Sequence, residues 1–335
     1  MLQRISQPVQ IKPWRKALSE AIRDPLALCK ALDLPPEHLP LPAQTAGQFP
    51  LRVPQGFVHR MRRGDPDDPL LRQVLPVAQE SVITPGFQTD PVGDHDAAVA
   101  SGILKKYRGR ALLMTSPACA VHCRYCFRRH FPYAGHSGIQ RDWTNTLGPI
   151  AADPSINEVI LSGGDPLSLP DDQLNPLIDA LEAIPHVQRL RIHSRYPIVI
   201  PERVDDELCA WLARTRLTVI MVIHSNHPNE IDRHVGTSLA RLRTIKITLL
   251  NQAVLLKGVN DDAGALARLS ETLMENGVLP YYLHMLDRVQ GAAHFEVDNA
   301  RALALMEALR HRLPGYLVPR LVRETAGRPY KTPLA

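Results

Sequence analysis

Short apolar runs alternate with amphipathic stretches over the last two thirds of the chain. Six runs rich in β-branched and other apolar residues recur at intervals of roughly thirty residues, a spacing typical of βα units. They cover residues 111–116, 158–164, 189–194, 218–225, 245–256 and 280–286. Between them, residues 171–184, 205–216 and 262–277 place apolar side chains at helical spacing. This alternation predicts an α/β fold with a parallel sheet or a partial (βα)6 barrel.

The first hundred residues have a different pattern. Residues 14–34 read as a helix broken at Pro25, residues 34–54 are rich in proline, and residues 68–80 give a further helical pattern. Because proline ends regular elements, this composition favours an irregular wrap over a second core. Near the other end, one helix and one strand-like run precede a short tail. We therefore predict three regions: a helical and irregular cap at 1–104, a barrel core at 105–315, and a C-terminal strand and tail at 316–335.

Composition and charge narrow the class of protein. A chain of 335 residues with 44% hydrophobic residues can bury the core of one barrel. The net charge of +5 suits phosphates and carboxylates as well as nucleic acid, and the chain has no lysine-rich tail or dense basic run. The start of the chain has no apolar signal segment, and no run approaches a membrane span. We expect a protein of the reducing cytoplasm, with no membrane partner.

Three of the five cysteines lie within eight residues, just after the first predicted strand. Cys119, Cys123 and Cys126 have the spacing C-x3-C-x2-C, whereas Cys29 and Cys209 stand alone in helical, apolar stretches. Three thiolates without a fourth suit an iron–sulfur cluster that keeps one iron open for a small molecule. Zinc is the alternative, but it needs a fourth ligand, which His122 or His130 would have to supply. A redox pair of Cys123 and Cys126 would leave Cys119 without a role.

Polar residues follow five of the six predicted strands. They are Ser162 to Asp165, Ser194 and Arg195, His224 to Asn226, Asn251 and Gln252, and Asp287. In βα barrels the loops after the strands build the site, so these residues predict one common mouth.

The cysteine spacing and several further stretches resemble a known family. The spacing is that of radical S-adenosylmethionine (SAM) enzymes, and "LSGGDPL" is similar to their glycine-rich motif. The stretches "CRYCFRRHF", "RIHSRYPIVIPERV", "IHSNHPNEI", "NQAVLLKGVND", "YYLHMLDRVQGAAHF", "GYLVPRLVRE" and "KTPL" resemble the lysine 2,3-aminomutase branch. The short form is most similar to the enzymes of elongation factor P (R)-β-lysylation (EpmB type). The resemblance spans roughly residues 105 to 335, in motifs that include the strand ends noted above.

The resemblance implies three cofactors and the residues that hold them. A [4Fe–4S] cluster would be bound by Cys119, Cys123 and Cys126. SAM would be bound by the residues of the glycine-rich motif and of the next two strand ends: Ser162, Gly163, Gly164, Asp165, Ser194, Arg195 and His224. The glycine pair would let the backbone approach SAM and offer N–H donors to its carboxylate. Pyridoxal phosphate (PLP) would form a Schiff base with Lys331, and its phosphate would contact Lys106, Arg110 and Gln252.

The resemblance also implies how a substrate with two charged ends is held. Arg128 would bind the carboxylate of L-lysine, and Asp287 and Glu324 would hold its distal ammonium. Two positions depart from the longer enzymes, since Lys106 replaces an arginine and Glu324 an aspartate. Near Lys331, the family's run of glycines is reduced to Gly327. Without the family, Arg129 and Asp287 would read as a surface ion pair.

The implied activity is the conversion of L-lysine to β-lysine, with the amino group moving from C2 to C3. The product would supply elongation factor P and its lysyl ligase, and a flavodoxin or ferredoxin would be the electron donor. A homo-oligomer is compatible with this reading. The alternatives are a free lysine 2,3-aminomutase of catabolism and, in a different class, a zinc-containing nucleic-acid-binding protein. An aminomutase acting on glutamate is disfavoured, because Asp287 would face a second carboxylate.

Overall fold

The computed structural model describes residues 11–39, 41, 49–133 and 143–335. Within them the strands form one mixed sheet in which spatial order follows chain order. The strands are β1 Ala98–Ala100, β2 Ile103–Leu104, β3 Arg110–Ser116, β4 Glu158–Gly163, β5 Arg189–Ser194, β6 Thr218–Ile223, β7 Thr248–Val254, β8 Leu279–His284, β9 Arg320–Arg323 and β10 Thr332–Pro333. Neighbouring strands from β3 to β9 are parallel, and the pairs β1–β2, β2–β3 and β9–β10 are antiparallel.

Helices connect the strands and cover the outer face of the sheet. They are α1 Pro13–Ser19, α2 Pro25–Ala31, α3 Gln55–Val58, α4 Pro69–Arg72, α5 Trp143–Thr146, α6 Gly148–Ala151, α7 Asp171–Glu182, α8 Tyr196–Val199, α9 Asp206–Arg214, α10 Arg233–Thr244, α11 Ala263–Glu275 and α12 Asn299–Arg312. None of the helices in the described part of the chain has the length and apolar character to cross a membrane.

The six predicted strands are confirmed as β3 to β8, and the fold is a partial βα barrel. The described edges β1 and β10 do not pair with each other, so the sheet stays open. Helices α7, α9 and α11 fall within the predicted stretches. Helix α10 is an addition, although its Val235, Leu239 and Leu242 have the spacing of a buried helical face.

Aspartates fix where the four longest helices after β5 begin. Asp205, Asp232, Asp262 and Asp298 each stand one residue before a helix and accept a hydrogen bond from a backbone N–H of its first turn, at 2.8–2.9 Å. These N–H groups have no partner inside the helix, so each aspartate stabilises its helix start by about 1 kcal/mol. The caps therefore set the point at which each loop of the barrel mouth gives way to its helix.

The two faces of the strands differ in what they contact. On the outer face, Leu113, Leu161, Ile192 and Met221 are in register across β3 to β6 and are at most 1% exposed. They pack against the apolar faces of the helices. On the inner face, alternate positions such as Ile160, Arg191 and His284 line a cavity instead. The period of two along each strand thus separates the core from the site.

The first hundred residues contribute to both the cap and the sheet. Trp14 is 2% exposed, with the Arg203 guanidinium 5.0 Å from its ring centroid. The predicted helix over residues 68–80 is two short helices, α4 and a 3-10 turn at Ala78–Ser81. Strands β1 and β2 lie within the stretch predicted as cap but pair with the barrel sheet through β3. Cys29 is fully buried, and Cys209 is half-buried at the edge of the core.

Candidate active site

The three cysteines line one cavity of about 400 Å³ at the carboxyl ends of the parallel strands. The loop that carries them follows β3 and is tied to the N-terminal region, since Arg124 N–H donates to Gln73 O and His122 N–H to Arg52 O, both at 2.9 Å. Burial raises the pKa of the Cys126 thiol to about 11 and that of Cys119 above its usual range. Both thiols would therefore lose protons when they bind a metal.

The ligand set does not favour a single zinc ion. No group of three or more His, Cys, Asp or Glu side chains surrounds a common ion position in the part of the chain that the structure describes. The two histidines that could complete such a site have other partners. His122 Nδ1 lies 2.8 Å from Pro50 O, and His130 Nε2 lies 3.1 Å from Gln290 O. Three cysteines that each hold a different iron need no such common point.

The glycine pair at the end of β4 packs against the start of the cysteine loop. A Cβ on Gly164 would lie 2.5 Å from Ala118 O, and one on Gly163, whose φ is +121°, would lie 2.6 Å from Ser116 O. Gly164 N–H donates to Ser116 O at 2.6 Å, so it is not free for a ligand carboxylate. In this structure the glycines bring the two backbones together, and the role of the pair in binding SAM stays a prediction.

Asp165 joins the ends of β4 and β5. Its carboxylate accepts hydrogen bonds from Ser194 Oγ at 2.8 Å, Arg195 N–H at 2.7 Å and Leu167 N–H at 3.0 Å. Burial is the main reason that the pKa of Asp165 rises to about 6, although these donors oppose the rise. The backbone N–H of Asp165 is itself bonded to Ala118 O at 2.8 Å. Asp165 and Ser194 line the cavity, but their polar groups already hold the two strand ends together.

Arg195 is the centre of a buried polar network beside the cysteines. Its Nη1 lies 2.8 Å from Cys123 Sγ and 2.9 Å from Tyr125 Oη, and its Nη2 donates to Gln73 and Glu230. His224 Nε2 is 3.0 Å from the same Tyr125 hydroxyl. Burial and the charge of Arg195 lower the pKa of His224 to about 3, so this imidazole is neutral. The network links the ends of β5 and β6 to the cysteine loop.

Arg128 and Lys106 converge on a carboxylate that the sequence analysis did not identify. Asp94 is 2% exposed and accepts from Arg128 Nε at 2.7 Å, and Lys106 Nζ lies 2.6 Å from its other oxygen. Arg128 Nη1 donates to Ser162 Oγ at 3.0 Å. Nη2 is the one guanidinium nitrogen of Arg128 that forms no hydrogen bond with the described residues, so it is available to a ligand. This arrangement offers a carboxylate one nitrogen rather than a two-nitrogen fork.

Lys331 reaches the cavity from the tail. Strand β10 pairs with β9, and Leu334 N–H donates to Leu321 O at 2.9 Å, so the tail is folded back onto the sheet. The Lys331 Nζ lies 2.5 Å from Glu324 Oε2. Tyr107 Oη donates to Glu324 Oε1, also at 2.5 Å. The apolar residues Leu317, Leu321 and Val322 are buried and Val318 is half-buried, so the segment before the tail is anchored in the core.

Asp287 lies on the cavity wall without a cation of its own. Its carboxylate makes no ion pair or side-chain hydrogen bond with the described residues, and burial raises its pKa to about 7. Arg129 bonds instead to Glu80 Oε2 at 2.7 Å. The alternative of a surface pair between Arg129 and Asp287 was therefore wrong.

Arg110 on β3 and Gln252 on β7 also line the cavity. Neither side chain forms a hydrogen bond or ion pair with the described residues, and the Arg110 guanidinium lies 5.3 Å from the Tyr107 ring centroid. Both are thus available to an anion, whereas Lys106 is engaged with Asp94. The structure brings all the predicted site residues to one cavity, and their roles stay predictions.

Sequence reasoning missed residues that precede the first barrel strand or face inward from strand interiors. Asp94 and Tyr107 lie before β3, so the expectation that site residues follow the barrel strands could not identify them. His193 and His284 are the inward-facing histidines of β5 and β8, and burial keeps the pKa of each below its usual range. Strand alternation could have found the histidines. No local signal marks Asp94, because its partners are distant in sequence.

Several relatives match this chain over nearly its whole length. An L-lysine 2,3-aminomutase of Escherichia coli (strain K12) is 51% identical over 96% of this chain and 94% of the relative. One of Haemophilus influenzae is 50% identical over 95% and 94%, and one of Buchnera aphidicola is 42% identical over 94% and 93%.

Two further comparisons add little. The solved structure of native anSMEcpe with bound AdoMet and Cp18Cys peptide aligns at 12% identity and a TM-score of 0.45, over 60% of this chain and 58% of that one, which is too distant to bear on function. No family model matches. The identities and coverage of the curated relatives are decisive: the chain belongs to the L-lysine 2,3-aminomutase family of isomerases.

Proposed function

We propose that this chain converts L-lysine to β-lysine by moving the amino group from C2 to C3, with a [4Fe–4S] cluster, SAM and PLP as cofactors. The observation that carries the proposal is that two segments distant in sequence line the same cavity. Lys331, near the end of the chain, lines the same cavity as Cys119, Cys123 and Cys126. An amine for PLP and thiols for a cluster thus open into one enclosed space, as a reaction that needs both cofactors requires.

The residues present fit these groups. Three cysteines hold a cluster with one open iron, and Lys331 offers the amine that PLP needs. Arg110 and Gln252 are unengaged donors for a phosphate, and Lys106 adds a positive charge. The SAM-binding role of Ser162, Gly163, Gly164, Asp165, Ser194, Arg195 and His224 rests on the resemblance and on the place of these residues around the cysteine loop. When bound, the cluster and SAM supply radical chemistry, and PLP delocalises the unpaired spin.

The chain's own residues would bind and orient the substrate. Nη2 of Arg128 binds the carboxylate, and the acids Asp287 and Glu324 hold the distal ammonium. Burial raises the pKa of Asp287 to about 7 although the charge of Lys331 opposes the rise, and a substrate ammonium beside it would favour its ionised form. A second carboxylate in place of the ammonium would meet two acids, which disfavours glutamate as substrate.

The finer assignment is that the product is (R)-β-lysine for elongation factor P and its lysyl ligase, which follows the resemblance noted in the sequence. Free lysine catabolism is the competing fate of the same product. A small redox protein such as flavodoxin or ferredoxin would deliver the electron to the cysteine loop. Membership of an isomerase family favours these readings over a zinc-containing nucleic-acid-binding protein.

The test is turnover by the full chain. The protein is purified without oxygen, its cluster is reconstituted, and it is incubated with SAM, PLP, dithionite and L-lysine. We expect β-lysine, identified by chiral chromatography, and none with Lys331→Ala or when PLP is omitted. Absence of β-lysine from wild-type protein that has full iron content and bound PLP would overturn the proposal. The (R) product, and its acceptance by the ligase, would support the elongation factor P assignment.

A further inference from the structure

Five charged side chains of alternating sign form a continuous row along the cavity wall. Arg128 contacts Asp94 at 2.7 Å, Asp94 contacts Lys106 at 2.6 Å, Lys106 lies 3.9 Å from Glu324, and Glu324 contacts Lys331 at 2.5 Å. The row bridges the open side of the sheet, between the segment before β3 and the tail after β9. Both carboxylates in it are thus neutralised by cations of the chain itself.

Glu324 is held in one position by two short contacts. Its side chain is 11% exposed, Oε1 accepts from the Tyr107 hydroxyl, and Oε2 pairs with the Lys331 ammonium. Burial opposes ionisation, but the charge of Lys331 and the two hydrogen bonds keep the pKa of Glu324 below its usual value. A buried carboxylate of this kind needs a cation at Oε2, because leaving it unpaired is costly.

The cation now at Oε2 cannot stay there once Lys331 carries PLP. Condensation of the Lys331 amine with the PLP aldehyde requires the ammonium to lose a proton to solvent, and it releases one water as the C=N bond forms. Lys331 then no longer presents an ammonium to Glu324. Glu324 would keep the Tyr107 hydroxyl and at most one imine N–H in place of the three ammonium donors, and the nearest other ammonium, Lys106, lies at 3.9 Å and is engaged with Asp94.

We propose that Glu324 and Tyr107 form one ammonium site that two cations use in turn: Lys331 before PLP is attached, and the distal ammonium of the substrate afterwards. The inference rests on the proposed function, and it adds an order of assembly and a role for Tyr107. Tyr107 is a positioning residue, since its hydroxyl fixes the carboxylate for either cation. The site admits lysine well only after PLP has engaged Lys331, which keeps the substrate out of the incomplete enzyme.

Binding to the PLP-free, cluster-containing full chain tests this exchange. L-Lysine and L-norleucine, which lacks the distal ammonium, are titrated by isothermal calorimetry into wild type and Lys331→Met. We expect Lys331→Met to bind L-lysine at least tenfold more tightly than wild type, with norleucine unchanged. Adding Glu324→Gln should abolish the gain, and adding Tyr107→Phe should reduce it. Lys257→Met, which removes the same charge from an exposed side chain, should change neither ligand.

Three outcomes would contradict the shared site, and they have different meanings. If wild type and Lys331→Met both prefer lysine over norleucine and bind it equally, the shared site is wrong while the lysine-binding cavity stands. If no variant distinguishes lysine from norleucine, the PLP-free cavity has no ammonium site and the inference is wrong, whereas the formation of β-lysine by the loaded enzyme tests the proposed function separately. An equal gain for both ligands in Lys331→Met also overturns the shared site, because the lost charge then acts without an ammonium partner.

Discussion

Asp287 is a half-buried carboxylate that forms no ion pair with the described residues, and its ionisation should weaken the PLP-free protein. Its pKa of about 7 lies above the value near 4 in the unfolded chain. The folded chain therefore binds the proton more strongly. The stabilisation is complete below pH 4 and is lost as the pH rises through 7. A carboxyl group that destabilises the ligand-free protein when it ionises is expected where its role is to bind a ligand.

We expect Asp287→Asn to make the PLP-free protein more stable at pH 8. The gain in unfolding free energy over wild type should grow by about 2–3 kcal/mol between pH 5 and pH 8, since asparagine cannot ionise. Denaturant unfolding at the two pH values measures it. The exposed Asp96→Asn is the control, and an equally small, flat difference in both variants would contradict the assigned burial effect.

The cysteines give the most direct prediction at this scale. Cys123→Ala should lose the visible absorbance of the reconstituted cluster and most of its iron, because a three-thiolate site loses one ligand. Cys209→Ala is the matched control, since this half-buried cysteine lies on α9. Iron and sulfide analysis after anaerobic reconstitution measures both. Full iron content in Cys123→Ala would remove the cluster from the proposed site.

Among the elements, the turn after β4 determines where the cysteine loop lies. A methyl group on Gly164 would meet the Ala118 carbonyl at 2.5 Å, and backbone cannot move away as a flexible side chain would. We expect Gly164→Ala to lower cluster content and to destabilise the protein by about 2 kcal/mol or more. Gly148→Ala should be neutral, because nothing lies within 4 Å of that position. Normal iron content in Gly164→Ala would show that the loop tolerates the displacement.

The tail is the element that carries the PLP proposal. Deleting residues 327–335 removes β10 and Lys331 but leaves β9, whose Leu321 is fully buried. The truncated chain should fold and keep its cluster but bind no PLP covalently. In wild type, borohydride should fix PLP to Lys331, as peptide mapping would reveal. An adduct on Lys257 or Lys246 instead would return Lys331 to the status of a tail residue.

For the whole molecule, the question is whether the N-terminal region folds with the barrel. Trp14 contacts Tyr196, the first residue of α8, and Arg203, in the 3-10 turn Pro201–Arg203 that follows α8. Trp14→Ala should therefore lower the unfolding free energy of the whole chain by about 3–5 kcal/mol, in one transition. The exposed Lys30→Ala should have little effect. Two separate transitions in wild type would show that residues 1–104 are an independent unit.

The sequence by itself determined the six barrel strands β3 to β8, the longer helices except α10, and the place of the site. Apolar runs at regular spacing gave β3 to β8, and the polar residues after them marked the mouth. These are local patterns, because each strand or helix must present one face to a core whatever its neighbours are. Helix α10 was missed since it carries few apolar residues, although the three that are buried have the expected spacing.

Only the tertiary structure decided which charges meet. Arg128 and Asp94 are 34 residues apart, and Tyr107 and Glu324 are 217 apart. Nothing in the local sequence specifies such pairs, because they depend on how closely the open edges of the sheet approach each other. The same holds for the glycine pair, which the motif associates with a ligand but which packs against Ser116 and Ala118. The chain encodes the groups, and the barrel brings them within reach of one another.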